Sequence, residues 1–209
     1  METIRNYISI ALGLLLTTMA IGSQAQDYTK IQKAFEESYA LENSAELNRA
    51  VEALKKIYDE NSYEINLRLG WLSYSVGNFS ESMAYYQKSI TLRPLAVEAR
   101  LGLTYPSSAM GNWDMVKQQY IEILEIDPMN TTANYYLGLI YYNREEYQQA
   151  LKYFEKVANL YPFDYDGMLM FAWTNYRLGK LREATVLFNK VLMIKPGDES
   201  AAEGLKLIQ

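Results

Sequence analysis

One stretch indicates the fold most directly: "NYYLGLIYYNREEYQQALKYFEKVANLYP", which runs from Asn134 to Pro162. In "YYLGLIYY" and again in "YQQALKYFEKVANL", apolar residues recur every three or four positions, which is the period of an amphipathic α-helix. The polar residues "REE" between the two segments indicate a short turn. Pro162 indicates the end of the second helix, because helices tend to end before an X-Pro step. The stretch therefore predicts a helix–turn–helix hairpin.

The same hairpin recurs at a constant interval along the chain. The interval is marked by evenly spaced prolines, at Pro94, Pro128, Pro162 and Pro196. Eight residues before each proline stands an aromatic residue, namely Tyr86, Tyr120, Phe154 and Phe188. Fifteen residues before it stands a large apolar residue, namely Phe79, Trp113, Tyr147 and Leu181. Twenty-four residues before it stands a small residue, namely Gly70, Thr104, Gly138 and Ala172. The small residues let the two helices of a hairpin approach each other, and the large residues fill the space around that contact. The hairpins are predicted to stack, because one hairpin cannot bury its apolar face alone.

On these residues the chain resembles tetratricopeptide-repeat proteins, whose unit is a helix–turn–helix of about 34 residues. The third repeat carries the family's signature in order, at Leu137, Gly138, Tyr141, Tyr147, Ala150, Phe154 and Pro162. The first signature position, often Trp in the family, differs here and is Asn66, Arg100, Asn134 and Met168. The resemblance covers residues 63–196. It implies an all-α fold, a right-handed α-solenoid of stacked helix–turn–helix repeats.

The period also predicts how the chain is divided. Four repeats are expected, at residues 63–96, 97–130, 131–164 and 165–198. Residues 26–62 are interpreted as a degenerate helix pair, because their apolar residues have helical spacing. The link from this pair to the first clear repeat is slightly shorter than the regular interval. Residues 197–209 are expected to form a C-terminal capping helix that begins after Asp198, a residue suited to the N-cap.

Residues 1–25 have the pattern of a secretory signal peptide. Arg5 precedes an apolar run from Ile8 to Gly22, and the small residues Ser23 and Ala25 follow it. We expect cleavage after Ala25 and a periplasmic or secreted protein, in keeping with an exported bacterial member of the family. The alternative is an uncleaved N-terminal helix that anchors the protein in a membrane.

The composition disfavours enzymatic chemistry. The chain has no His and no Cys, so it lacks the commonest general base, a thiol nucleophile and the commonest metal ligands. Its formal net charge is −5 and it has no cluster of Lys and Arg, which disfavours a nucleic-acid partner. We therefore expect a protein that is not an enzyme, with no catalytic residues, no cofactor and no metal site.

The resemblance further implies that the first helix of each repeat lines a concave groove. Large aromatic residues there are typical of binding hot spots, and two polar residues would orient the ligand. The candidate groove residues are Trp71, Tyr74, Tyr105, Tyr135, Tyr142, Trp173 and Tyr176, with Asn143 and Arg177 as the polar members. The alternative is that these rings serve packing between adjacent helices.

These residues predict a non-enzymatic protein–protein interaction scaffold that binds a peptide or protein segment in its groove. The alternative function is a glycan-binding or peptidoglycan-binding protein that uses the same aromatic rings. We expect contact with a membrane only through the transient signal peptide, and pairing of two copies of the chain stays open.

Pro106 interrupts the predicted first helix of the second repeat, beside the candidate groove residue Tyr105. A proline inside a helix removes one hydrogen bond and crowds the carbonyl four residues earlier, at a cost of about 3 kcal/mol. We predict a kink or an early helix end at residues 105–107. Two roles for such a kink or early end stay open. It adjusts only the pitch of the superhelix, or it shapes the binding pocket.

Overall fold

A computed structural model describes residues 28–209, so the predicted signal peptide and its cleavage site lie outside the described residues. Within that range the secondary structure is entirely helical, which confirms the all-α prediction. The described part of α1 covers residues 28–43. The other helices are α2 Leu47–Lys55, α3 Tyr63–Val76, α4 Phe79–Leu92, α5 Val97–Ala109, α6 Trp113–Ile126, α7 Thr131–Asn143, α8 Tyr147–Leu160, α9 Tyr165–Arg177, α10 Leu181–Ile194 and α11 Glu199–Ile208.

The helix boundaries keep the period that the prolines predict. The first helices of the four repeats begin at Tyr63, Val97, Thr131 and Tyr165, and each start is one proline interval after the last. The second helices end two residues before each proline, because the residue before a proline disfavours the helical conformation. α11 begins at Glu199, one further interval along, so it takes the place of a fifth first helix.

The chain divides into two compact units at Pro94 and Leu95. The described part of the N-terminal unit, residues 28–94, holds α1 to α4 around a core that includes Leu41, Leu54 and Leu69. The C-terminal unit, Leu95–Gln209, holds α5 to α11, and each helix there packs against the next one in the chain. A solenoid of helical repeats fits this consecutive packing.

In the first and third repeats, the two helices meet where a glycine faces an aromatic ring. A Cβ atom added to Gly138 would lie 2.8 Å from the Phe154 ring, and one added to Gly70 would lie 2.9 Å from the Tyr86 ring. A larger residue at either glycine would force the facing ring to move, because real Cβ atoms do not approach a ring so closely. The pairing of small and large positions in the sequence therefore reflects direct contact.

Pro106 lies inside α5, which continues to Ala109, so the prediction of an early helix end is wrong. The helical hydrogen bonding continues past the proline, since the Met110 backbone N–H donates to the Pro106 carbonyl at 3.1 Å. The Ser107 hydroxyl donates to the Leu103 carbonyl at 2.7 Å and so adds a bond across the same turn. Pro106 itself is buried.

The N-cap of α5 differs from those of the other first helices. Ser62, Asn130 and Asp164 each accept a hydrogen bond from a backbone N–H of the first turn, at 3.3, 3.0 and 2.7 Å. Ala96 stands at this position before α5 and has no acceptor. Its φ and ψ of −78° and 114° nearly equal the −79° and 121° of Asp164, so its backbone already suits a capping side chain.

We therefore expect Ala96→Asp to raise the free energy of unfolding by about 1 kcal/mol, since a good N-cap contributes that much over alanine. Urea denaturation followed by circular dichroism measures the change. Ala96→Asn is the matched control, because it supplies the acceptor without the charge that the helix dipole favours. If neither variant is more stable than the wild type, the first turn of α5 does not lack a cap.

Candidate functional site

Two of the candidate groove residues, Trp71 and Tyr74, lie on α3 in the N-terminal unit. Trp71 is 39% exposed, and its ring centroid lies 5.9 Å from that of Tyr74. The Trp71 indole N–H donates to Glu42 of α1 at 2.6 Å, and Arg68 donates to the other oxygen of Glu42 at 2.6 Å. Burial opposes the charge on Glu42, but these two hydrogen bonds outweigh it and lower the pKa of Glu42. α1 thus holds Trp71 in one orientation with part of its ring in solvent.

The C-terminal unit contains a pocket of about 810 Å³ between α5, α6 and α7, called here the α5–α7 pocket. Two of the predicted groove residues, Tyr105 and Asn143, line it. The other lining residues are Leu101, Thr104, Ser108, Trp113, Val116, Tyr120, Thr132, Tyr136, Leu139, Ile140 and Arg144. Each of the three helices contributes at least one aromatic ring.

The aromatic rings of this pocket are unusually open to solvent. Trp113 is 54% exposed, Tyr105 is 48% exposed and Tyr136 is 46% exposed. Behind them the buried Tyr120 ring stacks on Tyr136, with centroids 5.6 Å apart and planes 8° from parallel. Burial raises the pKa of Tyr120. The pocket therefore presents three large, solvent-exposed rings.

A missing ring explains why the pocket is open. In the first and third repeats, Tyr74 and Tyr142 pack on the first aromatic residue of the following helix, 5.8 Å from Phe79 and 5.2 Å from Tyr147. The second repeat has Ser108 at this position. Among the residues that the structure describes, no aromatic ring packs on Trp113 in its place. The α5–α6 hairpin is also the least closely packed of the four.

Two hydrogen-bond donors that line the pocket, Asn143 and Arg144, lie at the C-terminal end of α7. Arg144 donates to Asp114 at 3.0 Å, and Asp114 directly follows Trp113 in the chain. Arg144 is the one charged residue among those that line the α5–α7 pocket. The hydroxyls of Thr104 and Ser108 donate to carbonyls of their own helix, at 2.6 and 3.0 Å. Arg144 and the exposed Asn143 are therefore the side chains best placed to donate to a ligand.

Five further candidates, Tyr135, Tyr142, Trp173, Tyr176 and Arg177, lie in the same unit but do not line this pocket. Tyr135 is half-buried, with its ring 6.0 Å from that of Phe154. Burial, together with the nearby carboxylates of Asp166 and Asp164, raises the pKa of Tyr135 to about 12. A half-buried ring in contact with Phe154 fits a packing role as well as it fits a binding role.

Trp173 and its neighbours serve the end of the C-terminal unit. The Trp173 indole N–H donates to Ser200 of α11 at 2.9 Å, and its ring meets Phe188 edge-on at 5.0 Å. Tyr176 packs edge-on against Trp173 at 5.5 Å. Tyr142 and Arg177 both contact Tyr147, the first at 5.2 Å and the second through a guanidinium 6.0 Å from the ring centre. These contacts join α7 to α8, α8 to α9, and α9 to α10 and α11, and they leave each of the four side chains partly exposed.

Sequence reasoning did not place Trp113, Tyr120, Tyr136 or Arg144 at the site. Trp113 and Tyr120 keep the repeat period and were therefore interpreted as packing residues. Tyr136 aligns with Arg68, Gly102 and Met170 in the other repeats, so the repeats share no residue type at this position. The available signal was Ser108, which breaks a column of tyrosines at Tyr74, Tyr142 and Tyr176.

Among residues 28–209, no group of three or more acidic side chains could hold a metal ion. In the same range, no helix combines the length and the apolar character that a membrane crossing requires.

Comparisons with known proteins agree with the repeat. Residues 63–94 and 131–164 each match a family model described as a tetratricopeptide repeat. Together with the helical hairpins, these matches support the assignment of the chain to the tetratricopeptide-repeat family. The presence of tetratricopeptide repeats supports a role as a scaffold for protein–protein interactions, and this fold is typically non-enzymatic.

Among curated proteins, the chain is 25% identical to the TPR repeat-containing protein YpiA of Bacillus subtilis (strain 168) over 209 residues. That alignment covers 97% of this chain and 49% of YpiA, so the chain spans about half the length of this relative. A crystal structure of a tetratricopeptide repeat protein from Parabacteroides merdae has a TM-score of 0.73 at 20% identity, and covers 86% of this chain and 72% of its own. MamA from Desulfovibrio magneticus RS-1 has a TM-score of 0.68 at 18% identity, and covers 81% of this chain and 97% of its own. The structural likenesses show the fold alone.

Proposed function

We propose that the protein is an exported scaffold without catalytic activity, and that it binds a segment of a partner protein in the α5–α7 pocket. The observation that carries the proposal is the set of three exposed rings, Tyr105, Trp113 and Tyr136, around one cavity of about 810 Å³. Ligand pockets typically measure about 300 to 1,000 Å³ and combine apolar walls with a few polar groups. The α5–α7 pocket has this size and composition.

The rings have a physical reason to dominate the affinity. Trp and Tyr offer a large rigid surface with a polar tip, and they are enriched among the residues that contribute most to binding. An exposed group of such rings leaves apolar surface in water, and a partner segment that covers it recovers that free energy. Asn143 and Arg144 would orient the segment through hydrogen bonds.

The exported location is part of the proposal and is supported by the order of charged, apolar and small residues in 1–25. The mature protein would then begin at Gln26. Mass spectrometry of the protein from its source would contradict this if the segment from Met1 to Ala25 were still attached.

The test of the pocket uses peptides selected from a displayed random library on the immobilised protein. Calorimetry then measures the dissociation constant of each selected peptide. We expect Trp113→Ala to raise that constant about 30-fold, which corresponds to about 2 kcal/mol, the loss typical of a hot-spot residue. Tyr161→Ala is the matched control, because Tyr161 is 56% exposed and lies outside the pocket. Equal affinities for both variants, with both folded by circular dichroism, would contradict the proposal.

A glycan ligand is the second candidate, because exposed aromatic rings also stack on sugar rings. The pocket offers few free donors for sugar hydroxyls, since Thr104 and Ser108 donate to their own helix. A glycan array that shows binding lost in Trp113→Ala, together with a peptide library that yields nothing, would favour this candidate over the peptide.

A further inference from the structure

The repeats themselves show what fills the space beside Ser108. In the third repeat the Tyr142 ring meets Tyr147 edge-on, with centroids 5.2 Å apart and planes at 69°. In the first repeat the Tyr74 ring takes the same place against Phe79, at 5.8 Å and 40°. Phe79 and Tyr147 are both partly buried. A phenol ring is thus the group that this fold accommodates above the first turn of a second helix.

The second repeat has the receiving surface without the ring. Ser108 replaces the tyrosine, and Trp113, which corresponds to Phe79 and Tyr147, remains 54% exposed. The space that a tyrosine side chain would fill opens into the α5–α7 pocket, because both Ser108 and Trp113 line it. The geometry of the neighbouring repeats therefore serves as a template for the ligand.

A charged side chain, Arg144, lines the same pocket. The Arg144 guanidinium bonds Asp114, the residue that follows Trp113 in the chain, and the Asp114 side chain is 91% exposed. An ion pair so open to solvent contributes at most about 1 kcal/mol, so it exchanges readily with another carboxylate. A guanidinium has five N–H donors, which lets Arg144 keep Asp114 and also bind a second acceptor.

Resting on the proposed function, we infer that the partner segment places an aromatic side chain between Ser108 and Trp113, where the chain's own tyrosine lies in the neighbouring repeats. A carboxylate next to that ring pairs with Arg144. The partner is therefore a segment that joins an aromatic residue to an acidic residue. Electrostatic complementarity of this kind selects among partners more than it adds affinity.

Three small phenols test the inference, because they share the ring and differ only in the end of the side chain. Para-hydroxyphenylpropionate ends in a carboxylate, para-cresol in a methyl group and tyramine in an ammonium group. Fluorine NMR of the protein labelled with fluorotryptophan reports Trp71, Trp113 and Trp173 separately. We expect all three phenols to shift the Trp113 resonance at millimolar concentration, and the carboxylate to bind up to about fivefold more tightly than para-cresol, with tyramine the weakest.

Two variants separate the ring from the charge. Ser108→Tyr supplies the missing ring from the chain itself and should abolish the shift of Trp113 by every phenol. Ser80→Tyr is the matched control, because Ser80 is an exposed serine of the N-terminal unit and its replacement should leave the shift unchanged. Arg144→Gln should keep the binding of para-cresol and remove the preference for the carboxylate. Should Ser108→Tyr not fold, Trp113→Leu removes the receiving ring, and calorimetry of this variant should show no preference for phenols over an aliphatic probe.

Several results would overturn the inference. The aromatic part fails if no phenol shifts Trp113, or if cyclohexylpropionate binds as tightly as its phenol counterpart. The carboxylate part fails if the three phenols bind equally well. One result would contradict this inference alone and leave the scaffold proposal intact. It is a set of selected peptides that lose affinity in Trp113→Ala, carry no aromatic residue and are not displaced by the phenols.

Discussion

Replacing Phe154 by alanine is expected to lower the free energy of unfolding by about 3 to 5 kcal/mol, which is the usual range for a fully buried phenylalanine. The Phe154 ring is 0% exposed and fills the space that Gly138 leaves on α7. It also meets the Tyr135 ring at 6.0 Å. Its removal creates a cavity between α7 and α8 that no nearby side chain can fill without moving. Urea denaturation followed by circular dichroism measures the loss.

The matched control is Phe163→Ala, because Phe163 lies just beyond the end of the same helix and is 74% exposed. We expect its effect to stay within about 0.5 kcal/mol, as for most surface substitutions. Similar losses for the two variants would show that the α7–α8 contact is not the core of the repeat. The result bears on function as well, since α7 carries Tyr136 and Asn143 of the α5–α7 pocket.

Replacing Asp198 by alanine is expected to lower the free energy of unfolding by about 2 to 4 kcal/mol at neutral pH. The Asp198 carboxylate caps α11 by accepting the Ala201 backbone N–H at 2.9 Å, and it accepts the Tyr165 hydroxyl at 2.7 Å. A lost N-cap costs about 1 kcal/mol, and a lost hydrogen bond to a charged group costs about 1.5 to 3 kcal/mol. Urea denaturation measures the loss, and Tyr165→Phe should lose less, because it removes one donor and keeps the cap.

The effect of Asp198→Ala should depend on pH in a defined direction. The hydrogen bond from Tyr165 is the main cause that lowers the pKa of Asp198 to about 2, whereas an unfolded aspartate titrates near about 3.9. A lowered pKa in the folded state means that the stabilisation is complete above about pH 4 and is lost as the pH falls toward 2. The difference between wild type and variant should therefore shrink over this window. A difference that stays constant from neutral pH down to pH 2 would show that the carboxylate charge plays no part.

The candidate site could be predicted from the sequence only in part. The resemblance to the repeat family led to Tyr105 and Asn143, and both line the pocket. It also led to Trp173, whose indole N–H and ring are engaged by α11 and by Phe188. Trp113 was interpreted as a packing residue because it keeps the period of the aromatic residues at the start of each second helix. Periodicity shows which residues are equivalent but does not show whether a ring from another helix covers each of them.

Pro106 shows the same limit within a single helix. The local rule predicts a break, and the cost of a proline is real. The structure keeps the helix through Ala109, with Pro106 buried and the following turn closed by the Met110 N–H. Tertiary packing favours the helical path here over the intrinsic preference of the residue, and a short window of sequence does not contain that packing.

The order of amino acids is enough to define the helix–turn–helix repeat, its constant interval and the positions where small and large residues meet. These features depend on local periodicity and on prolines that stop helices, so they can be read from neighbouring residues. Which aromatic rings stay in solvent, by contrast, follows from the folded chain alone. That outcome depends on contacts between distant parts of the chain, such as Trp173 with Ser200, and on the absence of one ring at Ser108 that leaves Trp113 uncovered.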